Sequence, residues 1–424
     1  MPLRLAVVGA GWAGLAAALE ASRLGAEVAL FEMAPGAGGR ARDLGPTQPE
    51  LDNGQHIAIG AYAETLALMA RLGVPEGEAF VRMPLRLVDV EGRGLRLPGG
   101  PAMPAFARAV LGRRGWRWRS RFALLRVAAG WQRAGFTCAP EATVTDLART
   151  LPDEIRRGLI EPLCVAALNT QAEVASGATF LRVLKDSLAA GPGAADLLLP
   201  RLRLSRLLPV PALAALERDG VSVRLARRVE RIARSEDGWQ VDGEAFDAVV
   251  VAASAAEAAR LVAPLSPEWA TTATELGYEP IVTVYASAPG VRLPEPMLVL
   301  DADAERPAQF VFDRGQLGGP AGLLAFVVSG AGAWLERGLA ACESAVLAQA
   351  EVALRARATK GLQAVRTIVE KRATFRCTPG LHRPPAAIAA GLVAAGDYVD
   401  GPYPATLEGA VRSGLAAARA LLRA

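Results

Sequence analysis

The chain has 424 residues, 52% of them hydrophobic and 21% charged, which excludes a disordered chain and allows two or three folded domains. Its net charge is only +4, and just three of its 47 basic residues (Lys185, Lys360, Lys371) are lysines. Four widely separated cysteines (Cys138, Cys164, Cys342, Cys377), with no CxxC, exclude a disulfide framework or zinc site and fit a reducing cytoplasm.

Leu3–Val8 reads as a short apolar strand. GAGWAG follows at Gly9–Gly14, then an alanine-rich helix to about Leu24 and a second strand, Glu27–Phe31, ending at Glu32. The apolar start mimics a signal peptide but is better read as strand, turn and helix. A GxGxxG between strand and helix, with an acid 18 residues after the last glycine, binds a dinucleotide. Gly9 permits the turn, Gly11 admits the pyrophosphate, and Gly14 lets helix and strand pack. Trp12 and Ala13 open a helix whose N–H groups face the phosphates. Glu32 accepts from the ribose hydroxyls, and Met33 follows it at the same edge. NAD and FAD remain open at this point. GAGGRA at Gly36–Ala41 favours FAD, because Gly39 and Arg40 can reach back to a flavin dinucleotide's phosphates.

LDNGQHIAIG at 51–60 concentrates Asp52, Asn53, Gln55 and one of the chain's two histidines, His56. A metal site is a poor reading, since one histidine and one acid make no cage. The other histidine, His382, reads as a loop residue. From Gly92 to Pro140 there are ten arginines and no acid. Within this stretch WRWRSRFALLRVAAGW, at 116–131, interleaves three tryptophans with arginines. Such a segment, about 105–135, suits an anionic membrane surface. The plainer alternative is a solvated helix whose aromatics pack inward. Nucleic acid is not expected, because no recognised binding fold accompanies the charge.

Further along, Thr143–Asn169, Thr179–Leu188 and Glu343–Arg357 read as helices. Val221–Arg224, Val229–Ala233, Asp247–Ala252, Ile281–Ser287, Gln309–Asp313, Leu323–Ser329 and Val365–Arg372 read as strands. Near the end, the strand Leu392–Ala395 precedes Gly396 and Asp397, then DGPYPATLEGAVRSG at 400–414 and a last helix. Asp397 suits a ribityl chain. The helix start at Thr406 and Leu407 carries partial positive charge, which stabilises a reduced, anionic flavin.

Three blocks, GAGWAG with Glu32, GAGGRA, and the GD…TLEGAVRSG tail, resemble the FAD-dependent amine oxidase and carotenoid desaturase superfamily. DNGQH and PLCVAALNT at 162–170 narrow the resemblance to its squalene-associated FAD-dependent desaturases, the hydroxysqualene dehydroxylases. The resemblance spans essentially the whole chain. It implies an α/β fold: a discontinuous Rossmann-type FAD-binding domain (1–80, 200–265, 385–424) with an inserted α+β substrate domain (81–199, 266–384), amine-oxidase-like. It places Val229 beside the adenine and makes 54–56 a flavin-side loop, with Gly54, Gln55 and His56 close to the cofactor. One departure argues against amine oxidation: the aromatic expected just before the xEGA tail is Thr406 here.

The activity implied is reductive loss of the hydroxyl of hydroxysqualene, a lipophilic C30 isoprenoid. Upstream squalene-pathway enzymes are the expected partners, and the inner face of the cell membrane the expected location. His56, Asp52 and Tyr403 are the expected proton donors. Two rivals stand against this activity: an oxidative polyene desaturase on the same fold, and a lipid carrier without catalysis.

Overall fold

The computed structural model describes every residue except 46, 49–50, 114, 356, 359–360 and 423–424. Arg114 of the basic stretch and Lys360 therefore lie outside the described residues.

Arg4–Val8, Ala248–Val251 and Leu392–Ala394 are almost wholly apolar, as strands covered on both faces must be. They pair in parallel, with Val7 opposite both Val250 and Leu30. The resulting six-stranded sheet runs 387–389, 392–394, 248–251, 4–8, 27–31, 222–224. Only the first pair is antiparallel. The strands thus come from three distant stretches of chain. The helix Trp12–Arg23 covers this sheet and is buried over most of its length, because the last helix, Leu407–Leu422, lies against it. A Cβ at Gly414 would stand 2.0 Å from the Ala13 carbonyl oxygen, so glycine is required for that approach.

Two buried acids fix this arrangement. Glu20, fully buried, accepts from Arg23 at 2.9 Å and from Arg419 of the last helix at 2.8 Å. Glu408 accepts the backbone N–H groups of Glu64 and Thr65, so it caps the helix Ala63–Arg71 from across the interface.

A second, antiparallel sheet runs 297–299, 310–313, 323–329, 278–287, 363–375. Side chains alternate between its faces. Val282, Val284, Phe326 and Val328 pack with Val346 and Ala350 of the helix Leu339–Ala353. Tyr285, Phe310, Phe312, Val327 and Ile368 point the other way.

Three expectations shift. The helix expected over 143–169 is broken. Thr143 and Asp146 form a capping box for Val144–Leu147. Pro152 then starts Asp153–Ile155, a π-helical turn follows at Arg156–Ile160, and Glu161–Leu168 ends at left-handed Asn169 (φ 49°). The strand expected from Val229 begins at Ile232, because Asp242 takes the N–H groups of Glu230 and Arg231. The helix expected over 343–357 runs Leu339–Ala353.

Candidate active site

The two glycine loops meet edge to edge. Gly11 and Gly38 form a parallel bridge, and the Gly38 N–H donates to the Ala10 carbonyl at 2.8 Å. Gly9 has φ +107°, and a Cβ there would sit 2.6 Å from the Ala252 oxygen. A Cβ on Gly14 would lie 1.8 Å from the Gly9 carbonyl oxygen. Gly14 is therefore what lets the helix start so close to the strand, and it lies behind the site rather than on its wall. At Gly11 a Cβ would meet nothing within 4 Å, so the missing side chain leaves an open notch. No side chain caps this helix, which leaves its first N–H groups free for an anion.

That notch opens into a cavity of about 490 Å³, within the range for a cofactor or substrate site. Gly9, Gly11, Trp12, Ala13, Glu32 and Met33 line one end with Val229. Glu32 accepts the Ala10 N–H at 2.7 Å and the Ala34 N–H at 2.8 Å. Gly39, Arg40, Gly396 and Asp397 line the middle, and Gly54, Gln55, His56, Thr406 and Leu407 the far part. Arg40 donates to both Asp397 oxygens at 2.6 Å and to the Ala373 carbonyl at 2.7 Å. Its side chain is half-buried, and the residue lines the cavity. Thr406 caps the last helix by accepting the Gly409 N–H at 3.0 Å.

The structure brings together every sequence-derived cofactor residue except Gly14. The proton-donor candidates separate. His56 lines the cavity, with Nδ1 3.4 Å from the Gly54 carbonyl. Burial pushes its pKa below the ordinary value, and the charge of Arg40 adds to that. Asp52 is not on the wall: it is buried, accepts the Leu204 N–H at 3.0 Å and stands 3.7 Å from Arg314. Burial raises its pKa, opposed by the Leu204 N–H and Arg314. Tyr403 is also off the wall. Its hydroxyl accepts from Arg182 at 2.9 Å, and its ring lies under the guanidiniums of Arg182 and Arg412. Asp52 and Tyr403, both expected as donors, thus lie off the cavity wall. Arg314 also donates to Gln55, and Tyr285 to the Asp52 carbonyl, so the 51–56 loop is held from behind.

Sequence reasoning missed the floor. It is the outward face of the antiparallel sheet, built as two cross-strand rows. Glu370, Ile281 and Ser329 stand in one; Ile368, Thr283, Val327 and Phe310 stand in the other. Val165, Ala167 and Asn169 close the side. Asn169 donates to the Glu279 carbonyl and to Thr374, and accepts the Gly330 N–H at 2.7 Å. Tyr278 and Tyr398 also face the cavity, and burial pushes the Tyr278 hydroxyl up to about 12. The hydroxyls of Thr283 and Tyr398 are buried without a partner among the described residues. The available signal for this wall was strand alternation; for its side, it was the PLCVAALNT block.

The cradle fits FAD. The notch at Gly11, the uncapped helix end and Arg40 suit a pyrophosphate, and Glu32 a ribose. Comparison with known proteins agrees. Residues 12–422 match the model of the family described as flavin containing amine oxidoreductase. A hydroxysqualene dehydroxylase of Sinorhizobium fredii is 27% identical, covering 99% of this chain and 98% of that protein. One of Rhodopseudomonas palustris is 29% identical over 99% and 98%. Among solved structures, an oxidoreductase from Methanosarcina mazei superposes with a TM-score of 0.74 at 16% identity, over 98% of this chain and 99% of that one. The chain belongs to the flavin-containing amine oxidoreductase family: it is an FAD-dependent oxidoreductase whose full-length relatives include hydroxysqualene dehydroxylases.

Proposed function

We propose that this chain reduces hydroxysqualene to squalene with loss of water. The observation that carries the reading is the near full-length match to hydroxysqualene dehydroxylases, joined to a cavity whose floor sets Ile281, Ile368, Val327 and Phe310 beside a few polar groups. No lysine lies on the cavity wall among the described residues.

Segments 1–80, 200–265 and 385–424 carry the cofactor, and 81–199 with 266–384 carry the substrate. Gly9, Gly11, Trp12, Ala13 and Arg40 would hold the pyrophosphate, Glu32 the ribose, and Val229 the adenine. Asp397 would take the ribityl chain. The 54–56 loop and the helix end at Thr406 and Leu407 would border the ring. When bound and reduced, FAD supplies hydride there. The chain's own part is to hold an allylic alcohol on the dry floor and let its hydroxyl depart as water. Phe310 and Phe312, which line the cavity, would place aromatic rings near the positive charge left on the carbon chain. The imidazole of His56, whose pKa burial lowers, would steady the loop through its Nδ1 contact with the Gly54 carbonyl.

Enzyme reduced chemically and mixed anaerobically with hydroxysqualene should reoxidise its flavin as squalene appears. No reoxidation sinks the reading, and reoxidation only by oxygen or a quinone, with a polyene as product, points to a desaturase.

We also propose peripheral contact with an anionic membrane. Among the described residues, no helix is long and apolar enough to cross a membrane. In the helix Trp118–Arg133, Ser120, Leu124 and Ala128 face inward, and Trp116 before it is buried. Trp118 and Phe122 are each 60% exposed, stacked one turn apart beside exposed Arg119 and Arg126. Rings at headgroup depth with arginines on phosphates are the arrangement such a surface needs. Anionic vesicles should carry the protein upward on flotation at low salt, and the double variant Trp118→Ala, Phe122→Ala should stay behind. Equal flotation of both proteins would refute this contact.

A further inference from the structure

The proposed reaction needs a proton donor; Asp52 and Tyr403 lie off the cavity wall, and His56, which lines it, has its Nδ1 turned to the Gly54 carbonyl. Four carboxyl groups line the cavity: Glu32, Glu257, Glu370 and Asp397. Three are committed. Glu32 accepts two backbone N–H groups at the dinucleotide end. Glu257 is bound by Arg228 and Arg260, and Asp397 by Arg40 through both oxygens. Glu370 makes no ion pair among the described residues. It accepts only from the Asn53 side-chain amide at 3.2 Å and the Arg372 N–H at 3.2 Å.

Its position is as telling as its freedom. Glu370 stands opposite Ile281 on the floor, at the edge of the apolar rows. Asn53, which orients it, also donates to the Arg40 carbonyl, tying the acid to the loop that carries Gly54 and His56. Thr283 lies diagonally across the same sheet face, a separation of about 7–8 Å between such neighbours. Its hydroxyl is buried, has no partner, and lies 3.4 Å from where a Gly54 Cβ would be. A buried hydroxyl left unpaired is unfavourable, and an alcohol bound on this floor would satisfy it.

We propose that Glu370 is the catalytic acid that protonates the departing hydroxyl, with Thr283 as that hydroxyl's second hydrogen-bond partner. Glu370 gives its proton to the alcohol oxygen. The C–O bond breaks, its electron pair leaves on oxygen, and water is released. With reduced FAD bound, the carbon would take hydride from it, and the flavin would be oxidised by two electrons. Glu370 regains a proton from solvent. The substrate class is thus an allylic alcohol on a long apolar chain.

The inference rests on the proposed reaction, and the wild-type arm keeps the two apart. Wild type, Glu370→Gln and Glu370→Asp, each loaded with FAD and checked by flavin content and absorption spectrum, are reduced and mixed anaerobically with hydroxysqualene or its acetate ester. Acetate leaves without prior protonation. Glu370→Gln should keep its flavin and spectrum, lose about 10²–10⁴-fold in reoxidation rate on the alcohol, and stay within about fivefold of wild type on the ester. Glu370→Asp should recover part of the rate on the alcohol. Glu370→Gln within about threefold of wild type on the alcohol overturns the assignment. Equal slowing on alcohol and ester, or loss of flavin, also overturns it by making Glu370 structural. Failure of the wild type on the alcohol brings down the reaction itself and this assignment with it.

Discussion

Where the loops 9–14 and 38–39 meet, the cavity wall is bare backbone; across from it, the floor is all side chain, drawn from four strands between 278 and 375. The wall depends on the absence of atoms at Gly9, Gly11 and Gly14. The floor depends on which residue of each strand faces outward. A wall of this kind recognises what every dinucleotide shares, its phosphates and ribose. A floor of this kind recognises one substrate, and it can be rebuilt by substitution without disturbing the wall.

The sharpest break is Gly14→Ala. Its Cβ would fall 1.8 Å from the Gly9 carbonyl oxygen, and neither backbone can yield without separating helix from strand. A loss of at least about 3 kcal/mol in stability is expected, together with loss of bound flavin. Thermal unfolding and the flavin-to-protein absorbance ratio check it. A yellow Gly14→Ala protein of unchanged stability would remove the backbone half of the comparison.

An intermediate effect tests the support behind the wall. Hydrogen bonding from Arg23 holds the Glu20 carboxyl down at about 2, against an ordinary 4.5, with Arg419 adding to it and burial opposing. A pKa lowered in the folded state gives stability that is complete above the unfolded value and lost as pH falls through the folded one. The window is therefore about pH 4.5 down to about 2, and the amount is about 3 kcal/mol. Glu20→Gln should be less stable than wild type near pH 7, with the gap narrowing across that window. A gap independent of pH would show that the clamp between first and last helices is not ionic.

The smallest expected effect lies on the floor. Thr283→Val exchanges a partnerless buried hydroxyl for a methyl, so stability should stay within about 1 kcal/mol of wild type, on the gaining side. Flavin content should not change, and binding of hydroxysqualene should weaken by up to about tenfold. A larger loss of stability would mean that the floor, like the wall, is part of what holds the fold.

The wall was legible because its logic is local. Gly9–Gly14, Glu32 and Gly39–Arg40 act through backbone geometry within a short span, and spacing alone reveals that. Gly396, Asp397 and Thr406 were legible for the same reason, although the Arg40–Asp397 pairing across more than 300 residues was not. The LDNGQH stretch shows where local reading stops. Its composition marked it as part of the site, yet which side chains face inward depends on partners elsewhere. Leu204, Tyr285 and Arg314 turn Asp52 to the back, while Thr283 and Glu370 meet Gly54 and Asn53 at the front.

The sequence by itself thus determined the strand–loop–helix that cradles a dinucleotide, since glycine spacing and an acid at fixed distance leave few other uses; GAGGRA favoured FAD, and the family followed from the resemblance of the three blocks. Only the tertiary structure decided the floor. Glu370 reads in sequence as one charge on an alternating strand. It becomes a cavity acid because antiparallel register sets it opposite Ile281, and because Arg40, whose charge it feels, is held by both oxygens of Asp397.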